Sequence, residues 1–93
     1  MSISHYEITY NNLIKDIWGE YMRIRDLRED SDMTQQEVAD YLHVKQNTYS
    51  QYENEHRQLP IDLLIALSKL YNTSTDYILG LTNIKKPYPK KDR

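Results

Sequence analysis

The stretch TQQEVADYLHVKQNTYSQYE, residues Thr34 to Glu53, carries the strongest local pattern in the chain. Thr34 offers a hydroxyl oxygen at a helix start, and Glu37 three residues later completes a capping box. Val38, Ala39, Tyr41 and Leu42 follow at helical spacing. His43 then stands where the chain must leave this helix. Non-glycine residues rarely take positive φ, and His is among the better tolerated. Lys45 to Tyr52 predicts a second short helix, polar except at Tyr49 and Tyr52. One or two turns with so few apolar anchors are marginal alone. Neighbouring elements must hold this helix, and its outer face is free for another task.

Those neighbours are legible on both sides. Upstream, Tyr10, Leu13, Ile14, Ile17, Trp18, Tyr21, Ile24 and Leu27 recur in steps of three and four, a drifting helical face. Thr9 or Asn11 can cap its start, Gly19 leaves open whether it is one helix or two, and Asp30, Ser31 and Asp32 end it. Downstream, Pro60 suits the first position of a helix and Asp62 suits its first turn. Leu63, Leu64, Ile65, Leu67, Leu70 and Tyr71 make that helix the most apolar, and hence the expected central packing element. Thr73, Ser74 and Thr75 can cap a further short helix, with Gly80 as its stop and Leu81 closing over the core. Residues 83–93 read as a flexible basic tail.

The whole chain has 93 residues, few glycines (2) and prolines (3), and almost no period-two alternation, so an all-α single domain is expected. There is no cysteine, which removes disulfides and thiolate chemistry. His5, His43 and His56 lack metal-ligand spacing, and no metal or cofactor is expected. Nothing resembles a nucleophile elbow or a Gly-rich phosphate loop, so no catalytic residues and no small-molecule substrate are expected. No apolar run approaches the roughly 20 residues that span a bilayer, and a cytoplasmic, membrane-free protein is the default. Nine tyrosines without a phenylalanine point to rings at core edges or interfaces. The net charge of −2 hides a division: Lys85, Lys86, Lys90, Lys91 and Arg93 against Asp92 put +4 on residues 85–93 and leave −6 on residues 1–84. Any attraction to an anion must therefore be local.

The outer face of the second short helix carries Lys45, Gln46, Asn47, Thr48, Ser50 and Gln51. Gln and Asn present a donor and an acceptor at fixed spacing, which matches adenine N6 and N7 in the major groove. Thr and Ser hydroxyls and free N–H groups at helix starts suit phosphate oxygens. Tyr49 and Tyr52 turn inward on this reading.

From Arg23 to Thr82, RIRDLRED, MTQQEVADYLHV, QNTYSQYEN, LPIDLLIALSKLY and STDYILGLT together resemble the Cro/repressor-type helix-turn-helix family, also called XRE-like. The resemblance implies a five-helix, lambda-repressor-like DNA-binding domain over residues 21–82, with helices near 21–31, 35–42, 46–53, 60–71 and 75–80. It leaves residues 1–20 as an N-terminal extension, helical from about 10, and 83–93 as the tail. It implies Gln46, Asn47 and Gln51 as DNA base contacts. Gln35, Lys45, Thr48, Ser50, Asn54 and Arg57 become DNA backbone contacts, with Lys45 open to either role and Arg57 also open to an ion pair with Glu53 or Glu55. His43 and Glu55 stand where the family usually has glycine, and His56 where it often has lysine, which predicts a weaker phosphate clamp.

Arg23, Arg25 and Arg28 are expected to be solvated or paired with Asp26, Glu29 and Asp30 on their own helix. The functional expectation is a transcriptional repressor that binds an inverted-repeat operator in double-stranded DNA as a homodimer. The dimer surface is either the fifth helix with the segment after Gly80, or the N-terminal helix with Ile14, Ile17 and Trp18. A second class stays open: a protein-interaction module of antitoxin or anti-repressor type that keeps the fold without using DNA.

Overall fold

A computed structural model describes residues 22–91. The expected N-terminal helix, with its stripe from Tyr10 to Tyr21, lies outside the described residues. Among those residues the chain forms α1 (Ile24–Asp30), α2 (Gln35–Leu42), α3 (Gln46–Glu53), α4 (Ile61–Leu70) and α5 (Thr75–Ile78), with no strand.

The start of α2 is the capping box the sequence predicts: Glu37 N–H donates to Thr34 Oγ1 at 3.0 Å, and Thr34 N–H donates to Glu37 Oε1 at 2.9 Å. Of the three candidates for capping α5, Ser74 does so, its Oγ accepting from Tyr77 N–H at 2.9 Å. Pro60 sits one position earlier than expected, as the extended residue before α4, because its ψ of 150° lies outside the helical range.

All five helices end in the same way. A left-handed residue follows each one, and its own amide and the next bond back into the last turn. These residues are Asp32, His43, Glu55, Asn72 and Gly80, at φ of 56°, 59°, 59°, 51° and 81°. After α2, for example, His43 N–H donates to Asp40 O and Val44 N–H to Ala39 O. Only the last of the five is a glycine, so four helix ends carry a side chain in a region that disfavours one.

The core gathers Ile24 and Leu27 from α1, Val38, Ala39 and Leu42 from α2, Tyr49 and Tyr52 from α3, Leu67 from α4, then Tyr71 and Ile78. Tyr49 and Tyr52 turn inward as expected. Two expectations about packing fail. In α4 only Leu67 is buried, while Ile61 is 74% exposed and Ile65 44%; the helix lies at the margin of the core, with Leu63, Leu64, Ala66 and Leu70 half-buried. Leu81 does not close over the core but is about half exposed, because its part in ending α5 is played by its backbone amide, bonded to Asp76 O.

The two ends of the described chain meet. Arg23 N–H donates to Ile78 O at 2.8 Å. Its guanidinium donates to Tyr77 O at 3.0 Å, Thr82 O at 2.7 Å and Asn83 Oδ1 at 2.6 Å, and stacks 4.2 Å from the Tyr77 ring centre. Besides the Arg23 bond to Asn83, the segment expected as a tail makes two further bonds back to the fold: Thr73 Oγ1 donates to Lys85 O at 2.6 Å, and Tyr88 Oη donates to Asp76 Oδ2 at 2.7 Å.

The left-handed ends generate a stability prediction. Replacing His43, at φ 59° and ψ 40°, by glycine removes a Cβ clash, and the gain exceeds the extra entropy of glycine in the unfolded chain. Urea titration of His43→Gly is expected to show a gain of about 1 kcal/mol with an unchanged slope. Gly80→Ala is expected to lose about the same amount.

Candidate nucleic-acid interface

Helix α3 begins from Lys45 in extended backbone (φ −74°, ψ 150°), and no side chain caps its first amides. Its first-turn N–H groups and partial positive charge therefore stand at its N-terminal end. Gln46 and Asn47 are exposed there, and Thr48, Ser50 and Gln51 are half-buried around the same helix. Lys45, Asn54 and Arg57 are also exposed. Gln46, Asn47, Ser50 and Gln51 thus lie on the side of α3 away from Tyr49 and Tyr52, whereas Thr48 stands beside Tyr52.

Beneath that face lies a carboxylate. The Glu53 side chain has no accessible surface. Arg28 grips it from α1, Nε donating to Oε2 at 2.6 Å and Nη2 to Oε1 at 3.2 Å. Arg25 adds a longer contact, Nε to Oε1 at 3.4 Å, and Gln35 donates from α2, Nε2 to Oε1 at 3.1 Å. Arg28 also donates to Met33 O at 3.0 Å, which fixes the turn between α1 and α2. Burial alone would raise the Glu53 carboxyl. The bonds from Arg28 and Gln35, with the Tyr49 hydroxyl nearby, outweigh it and hold the group below the usual carboxylate range. Burial, followed by the nearby Glu53 charge, pushes the Tyr71 phenol up to about 12, and Tyr49 is raised further still by burial and Glu53.

This corrects the expectation that Arg28 is solvated or paired within its own helix; Arg25, which stays half exposed, likewise turns to Glu53 rather than to the acids of its helix. Asp26, Glu29 and Asp30 are exposed and already solvated, whereas a covered carboxylate without a cation would cost several kcal/mol. The signal was present in the sequence. Glu53 follows Tyr49 by four residues and Tyr52 by one, on the inward stripe of α3, and Arg28 follows Ile24 by four on the inward stripe of α1.

The carboxylate sets the polarity of the surface above it. An ionised carboxylate only accepts, so Gln35 must turn Nε2 towards Glu53 and Oε1 away. That oxygen accepts from Gln46 Nε2 at 2.6 Å. Gln46 keeps its Oε1 and its second N–H outward. Gln35 and Gln46 are thus brought together, as are Ser50 and Asn54, where Nδ2 to Oγ is 3.5 Å. Asn47, Gln51, Lys45, Thr48 and Arg57 make no side-chain hydrogen bond among the described residues. Neither of the two ion pairs there includes Arg57; both belong to Glu53. Among the described residues there is no cluster of metal-ligating side chains, and no helix is long and apolar enough to cross a membrane.

A family model described as helix-turn-helix matches residues 24–78, the span from α1 to α5. Among curated proteins of Bacillus subtilis, the chain is 39% identical over 71 residues to the uncharacterized HTH-type transcriptional regulator YobD, covering 76% of this chain and 62% of that one. It is 41% identical over 64 residues to the HTH-type transcriptional regulator ImmR, 69% of this chain and 50% of that one. With the HTH-type transcriptional regulator AnsR it shares 31% over 68 residues, 73% and 59% of the two chains. The matched region spans between half and about three-fifths of these relatives. No solved structure matches the chain.

The buried pair makes a prediction with a pH sign. Arg28→Ala leaves Glu53 covered without its main cation and is expected to lower unfolding free energy at neutral pH by about 3 kcal/mol. Because the folded carboxyl titrates below its unfolded value, its contribution is complete above the ordinary carboxylate range and is lost as the pH falls through the lower, folded value. Glu53→Gln should therefore flatten the acid limb of stability against pH, measured by urea unfolding from neutral pH downward.

Proposed function

We propose, from the premise that this chain belongs to the helix-turn-helix family, that it is a sequence-specific DNA-binding transcriptional regulator. It acts as a repressor that occludes promoter DNA. The observation that carries this reading is the oriented pair Gln35–Gln46 on the exposed start of α3. A side chain held by a buried charge meets a base edge with its rotamer already chosen, so less entropy is lost on binding.

In this reading α3 enters the major groove. Gln46 offers Oε1 to adenine N6 and its second N–H to N7, while Asn47 and Gln51 read neighbouring pairs. Lys45, Gln35, Thr48, Ser50, Asn54 and Arg57 hold the phosphates on either side. With −6 on residues 1–84, grip comes from these local donors and from helix amides rather than from the whole-molecule field. One short helix gives too little discrimination against genomic competition. A homodimer that places two copies of α3 about 34 Å apart on an inverted repeat supplies the rest.

The exposed apolar face of Tyr41, Ile61 and Ile65, together with the net acidity, favours a second reading as a protein-interaction module. Selection from a random duplex library separates the two. The regulator is expected to enrich an inverted repeat, to bind it with a negative log–log salt slope, and to lose base preference at one position of each half-site in Gln46→Ala. An unenriched library would leave only the interaction module.

A further inference from the structure

Of Arg23, Arg25 and Arg28, at the start of α1 and within it, Arg25 is the one whose charge is least consumed within the fold. Arg23 is spent on the meeting of the chain ends, and Arg28 on both oxygens of Glu53. Arg25 touches Glu53 only at 3.4 Å, and its side chain remains 48% exposed. It reaches instead across to the residue that ends α3: Nη2 donates to Asn54 Oδ1 at 2.7 Å. Both residues open onto a cleft shared with Met22, Asp26, Glu53 and Glu55.

Donor and acceptor chemistry decides what this arrangement presents. A guanidinium has no acceptor, so Asn54 must turn Oδ1 towards it and Nδ2 away. Nδ2 has only a marginal 3.5 Å contact with Ser50 Oγ, and Arg25 Nη1 makes no hydrogen bond among the described residues. Two outward donors, one of them cationic, are therefore held side by side at the far end of α3 from Gln46. Asp26 and Glu55 line the same cleft and oppose an anion there. The contact must depend on two aimed donors rather than on net charge.

We infer that Arg25 and Asn54 together hold one phosphodiester of the bound duplex, with Arg25 also fixing which end of the Asn54 carboxamide faces it. This rests on the DNA-binding reading. It adds to the interface a residue that sequence reasoning assigned to solvent or to an ion pair on its own helix.

The test uses the full chain and copies of the selected duplex in which one phosphate at a time is replaced by a neutral methylphosphonate. For the unaltered protein, one position per half-site should cost roughly tenfold in affinity through loss of this contact. Arg25→Ala should bind the unmodified duplex about as much more weakly, reduce the salt slope by about one per half-site, and become indifferent to the substitution at that position alone. Asn54→Asp keeps the bond to Arg25 but has no donor to offer. It should melt no lower than the parent, yet lose the same phosphate. A purely structural role for Arg25 would instead lower stability and leave the pattern of phosphate sensitivity intact. Both variants retaining the sensitivity would overturn the inference while DNA binding stands. Failure of the unaltered protein to bind any duplex would sink both.

Discussion

A single covered carboxylate governs this domain. Glu53 sits on the inward side of α3 with no access to water, and chiefly the Arg28 guanidinium, helped by Gln35 and Arg25, makes that tolerable. Once the pair is formed, α1 and α3 are fixed relative to each other by two short, charge-assisted bonds, and α2 is drawn in through Gln35. A hydrophobic contact would join the same helices without directing anything. An ion pair has polarity, and every amide that touches it must choose an end. The choice passes outward through Gln35 to Gln46 at one end of α3, while at the other end the Arg25 guanidinium, which can only donate, orients Asn54.

The same dependence explains what could be read from residues alone. The capping box at Thr34 and Glu37, the inward turn of Tyr49 and Tyr52, and the order of short helices from Ile24 to Ile78 all arise from interactions within a few residues. Such interactions leave a periodic trace. The partner of Arg28 is 25 residues away, and the nearer acids Asp26, Glu29 and Asp30 offered a closer but wrong match. Spacing along a helix cannot rank partners when the winning term is the cost of leaving a distant carboxylate dry and unpaired. The packing of α4 was misread for a related reason: its composition is the most apolar in the chain, but composition does not tell which side a neighbour covers. Among the residues proposed to meet DNA, the exposure of Lys45, Gln46, Asn47, Asn54 and Arg57 was legible, whereas the hydrogen bond that aims Gln46 was not.

The helix ends show a different economy. Five helices of four to ten residues are closed by the same left-handed turn, four times by a residue that fits it poorly. Short helices have little internal cooperativity, so the amides folded back at each end are a large share of what keeps them defined. The strain at Asp32, His43, Glu55 and Asn72 is sustained by these bonds and by the core beneath them. His43 and Glu55 also bracket α3, so the element with the most exposed polar surface is bounded on both sides by backbone that resists sliding.

Arg23 joins the first helix of the domain to its last. Its amide and guanidinium bind α5 at Tyr77 and Ile78 and the chain just beyond it at Thr82 and Asn83, so the start of α1 and the end of α5 are neighbours in space. The start of α1 and the segment after α5 are therefore joined by one side chain, although about 60 residues of sequence separate Arg23 from Asn83. A disturbance of the segment after α5 is therefore felt at the start of α1, 60 residues away in sequence, through that one side chain.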